Sequence, residues 1–404
     1  MSFCVSARLI ANSSEQLRST AQKRKIEQIS TLAKLGHGKS QFQLATYYEN
    51  KSTAIDYQHA YSWYLMAKDN HFKGAAAAFK EIRSKVKNKR LAKDKYLSLR
   101  EKYGLQSLTA HLYPRLVRGE DDIRWPTNQS LTARLNPLIN IPKNMRRKHT
   151  QAWSLWLYNL DWTGNITNLR LIANTPELSL KSLHQPLIKQ QKFEPVRNDG
   201  GEPDYVTGIS QLIAYGFTND GFPTLPEVQS ANDTLARALL EQYNRGAAAN
   251  ESKTTVLEAA IAGQKDAQYQ IALCLIKGKF CQKDLTKAKR WLQIAAKAGH
   301  VYASFHLAKL TNNDKSLSLL AQNNYQPAML YYPKLLNLNN KSLLAYKLAY
   351  QNSLLMPGSP LMLYSASQLA RTLGFTSQSQ NLMRKAQQLV NKHALPKDYL
   401  EEIK

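Results

Sequence analysis

The chain has 404 residues, 43% of them hydrophobic, and its 55 Lys and Arg against 29 Asp and Glu give a formal net charge of +26. That content supports a substantial core, as several globular domains or one long array, and the positive balance draws the chain toward nucleic acid, anionic lipid or an acidic polymer. No apolar run reaches the roughly 18 residues of a membrane-spanning helix, and Cys4, Cys274 and Cys281 are too few for a disulfide-built fold or a cysteine quartet around zinc.

In chain order, Met1 to Ala7 places Val5 and Ala7 as in the tail of a signal-peptide cleavage site, without the apolar stretch that should precede them. Two readings stand: an export signal cut short by a misplaced start, or an ordinary terminus. The location is accordingly cytoplasmic, or periplasmic and exported.

Ile26 to Leu35 is helical in pattern, and Gly36-His37-Gly38-Lys39-Ser40 leads into a second helix through Tyr48. Asp56, Ala60, Trp63, Tyr64 and Ala67 then fall at helical spacing. Next come Lys80, Arg83, Lys85, Lys87, Lys89, Arg90, Lys93, Lys95, Arg100 and Lys102, with Ile82, Val86, Leu91 and Leu97 between them. These read as one amphipathic helix with a basic outer face, either a contact for an anionic partner, with Lys87 and Arg90 the candidate residues, or a solvated surface.

Between 106 and 205, prolines from Pro114 to Pro195 punctuate short apolar segments, and a helical insert is expected there. Met145-Arg146-Arg147-Lys148-His149 precedes Trp153, Trp156, Leu157, Leu160 and Trp162. The tryptophans and leucines read as the core stripe of a helix, as a partner contact through Arg146 and Arg147, or as a membrane-surface segment. Asn198 to Asp204 is a turn or hinge.

The strongest pattern is an echo: Ala262-Gly263 to Ala272 returns as Ala298-Gly299 to Ala308. One helix begins at Asp266 and breaks at Lys277-Gly278-Lys279. Asp284 reads as the N-cap of the next, with Leu285, Ala288, Trp291, Leu292 and Ala295 inward and the basic residues outward. Gly299 ends it, being able to take the left-handed conformation. Cys274 and Cys281 either bridge the loop between the two helices or stay reduced, with Cys274 buried. Three further helices, around 343–349, 361–373 and 382–389, are expected to cap the stack.

Units of this length cannot bury their own apolar face and must stack. The Asp cap, the Ala-x-x-Trp-x-x-x-Ala spacing and the Ala-Gly or Gly-His junctions resemble the Sel-one-like repeat family, relatives of tetratricopeptide repeats. The resemblance covers 35–79 and 262–310, and more loosely 206–250 and 315–332. It implies an all-α, α/α superhelical solenoid, divided here as 1–105, 106–205, 206–335 and 336–404. It also implies a non-catalytic adaptor that gathers protein partners into a multiprotein assembly; many bacterial relatives are exported. Ala60, Trp63, Asp284, Ala288, Trp291 and Gly299 form the repeat scaffold. A basic surface protein holding nucleic acid or cell-envelope polysaccharide is the alternative.

No cofactor or metal is expected. Gly38-Lys39-Ser40 lacks the earlier glycine and the preceding strand of a phosphate-binding loop. Neither a His-Glu-x-x-His element nor a Cys-x-x-Cys pair occurs, and no Gly-x-Ser-x-Gly nucleophile elbow is present.

Overall fold

The computed structural model describes residues 20–120, 123–139, 152–175, 180–198, 201–215, 231, 233–244, 255–396 and 399–400. Two compact units divide the chain: Met1–Asp121 with Leu257–Gln264 and Ile271–Trp291, and Asp122–Val256 with Lys265–Gln270 and Leu292–Lys404. Both are built mainly from paired helices, the α/α arrangement of a repeat solenoid.

In the first unit, helix Gly38–Lys51 packs on helix Ala54–Asp69 across a junction where Ser52 takes a left-handed conformation. Thr53 caps the second helix by accepting the Asp56 amide at 3.1 Å. Leu44, Ala45, Ala60 and Trp63 share a core with Ile82 and Ala92. The basic stretch is two helices and not one, Ala75–Lys85 and Lys89–Tyr103. Val86 turns inward at the break, and Asn88 caps the second helix by accepting the Leu91 amide. An Asn cap offers the backbone an alternative to continuing the helix.

Helix Leu105–His111 ends in the first unit against residues 287–291. The Lys287 ammonium donates to the carbonyls of Thr109 and Tyr113 at 2.9 and 2.8 Å, and the Trp291 indole donates to the Leu112 carbonyl at 2.9 Å. Carbonyls that a helix end leaves without partners are thus bonded, and a cation meets the negative end of the helix dipole. The expectation that the basic residues of Leu285–Lys297 face outward fails at Lys287, which is buried, and Leu285, expected inward, is 47% exposed.

The 106–205 insert is corrected most. After Leu105–His111 it carries strands, and two of them, Ala152–Leu160 (β2) and Ile166–Thr175 (β3), join Val206–Tyr215 (β5), just past the insert, in a three-stranded antiparallel sheet of order β3-β2-β5. Ala133–Leu135 (β1) pairs with Lys192–Phe193 (β4). The Trp153-to-Leu160 run is therefore the central strand. Its Trp156, Tyr158 and Leu160 face a core shared with Leu180 and Ile188 of helix Leu180–Gln190. On the other face Ser210, opposite Leu157, is bonded to Tyr243 of helix Thr234–Asn244. A strand covered on both faces shows no polar alternation, so its sequence does not differ in pattern from a buried helix. The looser repeat match at 206–250 likewise opens on a strand.

From Val301 the second unit is a succession of helices, each packed on the next: Val301–Leu310, Asp314–Gln322, Gln326–Leu338, Ser342–Leu355, Pro360–Thr372 and Thr376–Lys392. The last three are the helices expected from periodicity. Their small residues, Ala345, Ala349, Ala366, Ala370 and Ala386, are buried in one continuous core with Leu361, Leu369 and Leu382. Small side chains permit close helix approach.

Candidate partner-binding site

The repeat scaffold residues occupy the positions where a stack needs small or cap-forming groups. Ala60, Ala288 and Trp291 are fully buried and Trp63 is nearly so. Asp284 accepts the Lys287 amide at 3.0 Å, closing the first turn of its helix. Gly299 adopts φ +80° and Gly278 φ +72°, the left-handed conformation that ends a helix.

At the repeat junction His300 performs two tasks. Its Nδ1 accepts the Ala303 amide at 3.0 Å, capping helix Val301–Leu310, and its Nε2 lies 3.5 Å from Asp266 Oδ1. The ring stacks on Tyr269 at 4.5 Å, and Arg170 reaches the same Asp266 oxygen at 2.9 Å. Burial pushes the Asp266 carboxyl up, but His300 and Arg170 outweigh it and hold it below the usual aspartate value. His306 meets the Tyr269 ring edge-on at 5.7 Å. His300 and His306, six apart, thus converge on one tyrosine because His300 is a cap outside the helix.

Gly38-Lys39-Ser40 follows a helical segment, and the Ser40 hydroxyl is buried and bonded to His37 Nδ1 at 2.8 Å. A phosphate has no access to it. Cys274 and Cys281 form a disulfide that closes the loop after helix Lys265–Lys277. The backbone of this loop bonds the first unit's 115–117 segment, from Val117 N to Phe280 O and from Gln282 N to Arg115 O.

One Ser–His pair was not anticipated. Ser154 Oγ lies 2.7 Å from His184 Nδ1, Tyr215 Oη lies 2.8 Å from Nε2, and the Trp156 indole donates to Ser154 Oγ at 2.8 Å. The distances are those of a nucleophile and its base. Ser154 and His184 are both at 0% exposure, however, so no substrate reaches the hydroxyl. Burial lowers the His184 pKa to about 4, which keeps the ring neutral. This network satisfies polar groups inside the sheet layer. Among the described residues no group of three or more His, Cys, Asp or Glu is arranged to hold a metal ion.

Among the described residues, exposed basic side chains and side-chain-lined grooves are both present. Lys87 and Arg90 are exposed at the break between the two basic helices, while Lys85 is paired with Glu49 at 2.9 Å and Lys95 lies 3.2 Å from the His59 ring. A groove of about 1150 Å³ in the same unit is bordered by Asp69, His71, Lys73, Arg100 and Glu101. In the second unit a smaller aromatic cavity of about 220 Å³ is lined by Trp162, Tyr205, Tyr302, Phe305, Tyr331 and Tyr364. Sequence reading did not locate this cavity, because its rings come from distant segments. Arg146 and Arg147 lie outside the described residues, as do Cys4 and the Met1-to-Ala7 segment.

Comparison with known proteins adds one finding. The Sel1 repeat matches residues 38–71 and 265–300, the segments whose caps, glycines and buried alanines are described above. No curated protein and no solved structure matches the chain.

Proposed function

We propose, from the two Sel1 repeats that the chain carries, that it is a non-catalytic scaffold holding a protein partner for a multiprotein assembly. The observation that carries this reading is the packing of helix Gly38–Lys51, in the first matched repeat, on helix Ala54–Asp69, beside a side-chain-lined groove in the same unit. Recognition then comes from exposed side chains, with Lys87 and Arg90 as contacts in the first unit and Arg146 and Arg147 as further contacts. The test is capture by the purified chain at low and high salt. Discrete proteins retained at high salt support the scaffold; their absence at both salts removes it.

The second reading, a basic protein binding an anionic polymer, is favoured by the net charge of +26 and the exposed Lys87 and Arg90. Binding of nucleic acid or acidic polysaccharide that weakens steeply as salt rises, with no protein retained, is its signature.

Among the described residues no helix is long and apolar enough to cross a membrane. The Cys274–Cys281 bridge supports placing the chain in an oxidising compartment, the periplasm or outside the cell, since such bonds are reduced in most cytosols. Alkylation of cysteines during lysis of the native cell, followed by mass analysis, tests it: labelled Cys274 and Cys281 would place the protein in a reducing compartment.

A further inference from the structure

Helices Val301–Leu310, Gln326–Leu338 and Pro360–Thr372 are alternate members of the second unit's series, and all three line the 220 Å³ cavity. One face of the array is therefore a recess walled by successive odd helices. The chain itself shows what that recess accepts.

Residues Glu202 to Tyr205, which form no helix, run along it. Glu202 Oε1 lies 3.2 Å from the Lys334 ammonium. The Tyr302 hydroxyl donates to the Tyr205 carbonyl, and the Tyr205 ring stacks on Tyr302 with centroids 5.4 Å apart. Trp162 meets Tyr205 edge-on at 6.3 Å, and Pro203 is buried. The segment, whose backbone also bonds 196–198, thus meets the recess through a carboxylate on a lysine, a carbonyl on a tyrosine hydroxyl, and a ring on a ring.

The same elements recur beside it with space left over. Lys309 is exposed, its ammonium lies 4.8 Å from the Tyr331 ring centroid, and no carboxylate is paired with it among the described residues. Phe305, Pro327, Leu330 and Tyr331 wall the adjoining cavity. Its volume, about 220 Å³, falls below the roughly 300–1,000 Å³ of drug-sized sites and suits a single ring system. A ring buried among aromatic faces removes a large apolar area from water at the cost of only two side-chain torsions.

We propose that this cavity is an anchor subsite for an extended acidic segment of a partner protein, which inserts one aromatic side chain against Phe305 and Tyr331 and places an adjacent carboxylate on Lys309. The proposal rests on the scaffold reading and deepens it by assigning the partner's chemistry. The exposed Lys309 ammonium and the chain's own segment argue for the same occupant, since Glu202–Tyr205 already presents an acid and an aromatic ring to this face.

The test uses the full chain and a fluorescein-labelled peptide, Gly-Asp-Glu-Trp-Glu-Asp-Gly, read by fluorescence anisotropy. Because a chain of net charge +26 attracts any acidic peptide, the control is the same peptide with Ala in place of Trp. The Trp peptide is expected to saturate below about 1 mM and the Ala peptide to bind about ten-fold or more weakly. Lys309→Glu, at an exposed position, should weaken the Trp peptide about ten-fold, and Leu330→Trp, which fills the cavity, should remove the difference between the two peptides. Circular dichroism melting establishes that each variant is folded; if Leu330→Trp is not, Lys309→Glu decides alone. Equal binding of the two peptides, no saturable binding, unchanged affinity in Lys309→Glu, or displacement of the Trp peptide by neutral oligosaccharides overturns the subsite. Capturing partners with both variants separates the two proposals: a protein held equally by wild type and Lys309→Glu leaves the scaffold standing without this subsite, and no protein held by wild type removes the scaffold itself.

Discussion

The ammonium of Lys287 lies 2.8 Å from the carbonyl oxygen of Tyr113, 174 residues earlier in the chain. The same ammonium bonds the Thr109 carbonyl, and burial, partly offset by Asp284, draws its pKa below the usual lysine value. The lysine is thus the cap of another helix. Lys287→Met keeps the apolar stem and leaves two carbonyls without their donor; hydrogen bonds to charged groups are worth about 1.5–3 kcal/mol each, so a loss of about 3–6 kcal/mol is expected in urea unfolding. A variant as stable as wild type would show that water replaces the ammonium without cost.

Two glycines with nearly the same conformation should respond differently to alanine. Gly164, at φ +79° in the turn between β2 and β3, has the Phe193 carbonyl oxygen 1.9 Å from where a Cβ would stand. Gly299, at φ +80°, has nothing within 4 Å. Gly299→Ala should cost about 1 kcal/mol from the left-handed backbone alone, and Gly164→Ala about 2–4 kcal/mol, because backbone must move as well. Comparing the two urea midpoints checks the ordering.

Stability should fall with acidification in two steps. The His184 pKa is depressed from 6.5 to about 4, so between those values the unfolded chain binds a proton that the folded chain does not. Its contribution is complete above pH 6.5 and diminishes down to pH 4, by up to about 3 kcal/mol. His37 and His59, both lowered chiefly by burial, act in the same direction. The Asp266 carboxyl is depressed below 3.8, so its contribution is present above 3.8 and disappears as pH drops through the folded value. Urea midpoints from pH 7.5 to 4.5 should decline, less steeply in His184→Leu; a flat or rising profile contradicts the assignment.

Reduction of Cys274–Cys281 releases a short loop. Loop-closure entropy alone sets the loss at about 2–3 kcal/mol, to be measured as a lower melting temperature in reductant and in the double alanine variant. Since the Val117 amide donates to the Phe280 carbonyl and the Gln282 amide to the Arg115 carbonyl, the Val117 and Gln282 amides should also exchange faster on reduction, while amides of helix Thr376–Lys392 should not.

Ala60 and Ala288, at corresponding places in the two repeats, are both fully buried. Leucine at either place overpacks the stack and should cost about 1–3 kcal/mol. Double-mutant additivity is expected, since residues without shared partners contribute independently; coupling beyond about 0.5 kcal/mol in the unfolding of the pair would argue otherwise.

The repeats were legible because their signals are local. Asp284 caps within three residues, Gly278 and Gly299 need only their own φ, and Ala288 and Trp291 follow a one-turn spacing. What escaped was decided at long range. The break at Val86–Asn88 was masked by uniform basic charge on both sides, although Asn88 was a cap signal available in the sequence. The aromatic cavity had no signal of its own, since Trp162, Tyr205 and Tyr302 are joined only by folding.

By itself, then, the sequence determined the helix pairs, the Asp284 cap, the terminal glycines and the helices after Val301, because 3.6-residue periodicity and terminal backbone conformations depend on neighbours a few positions away. Tertiary structure alone decided that Trp153 to Leu160 is a strand, since helices on both faces remove the alternation that would mark it. It alone turned Lys287 inward, where carbonyls contributed from 109 and 113 offset the cost of burying its charge.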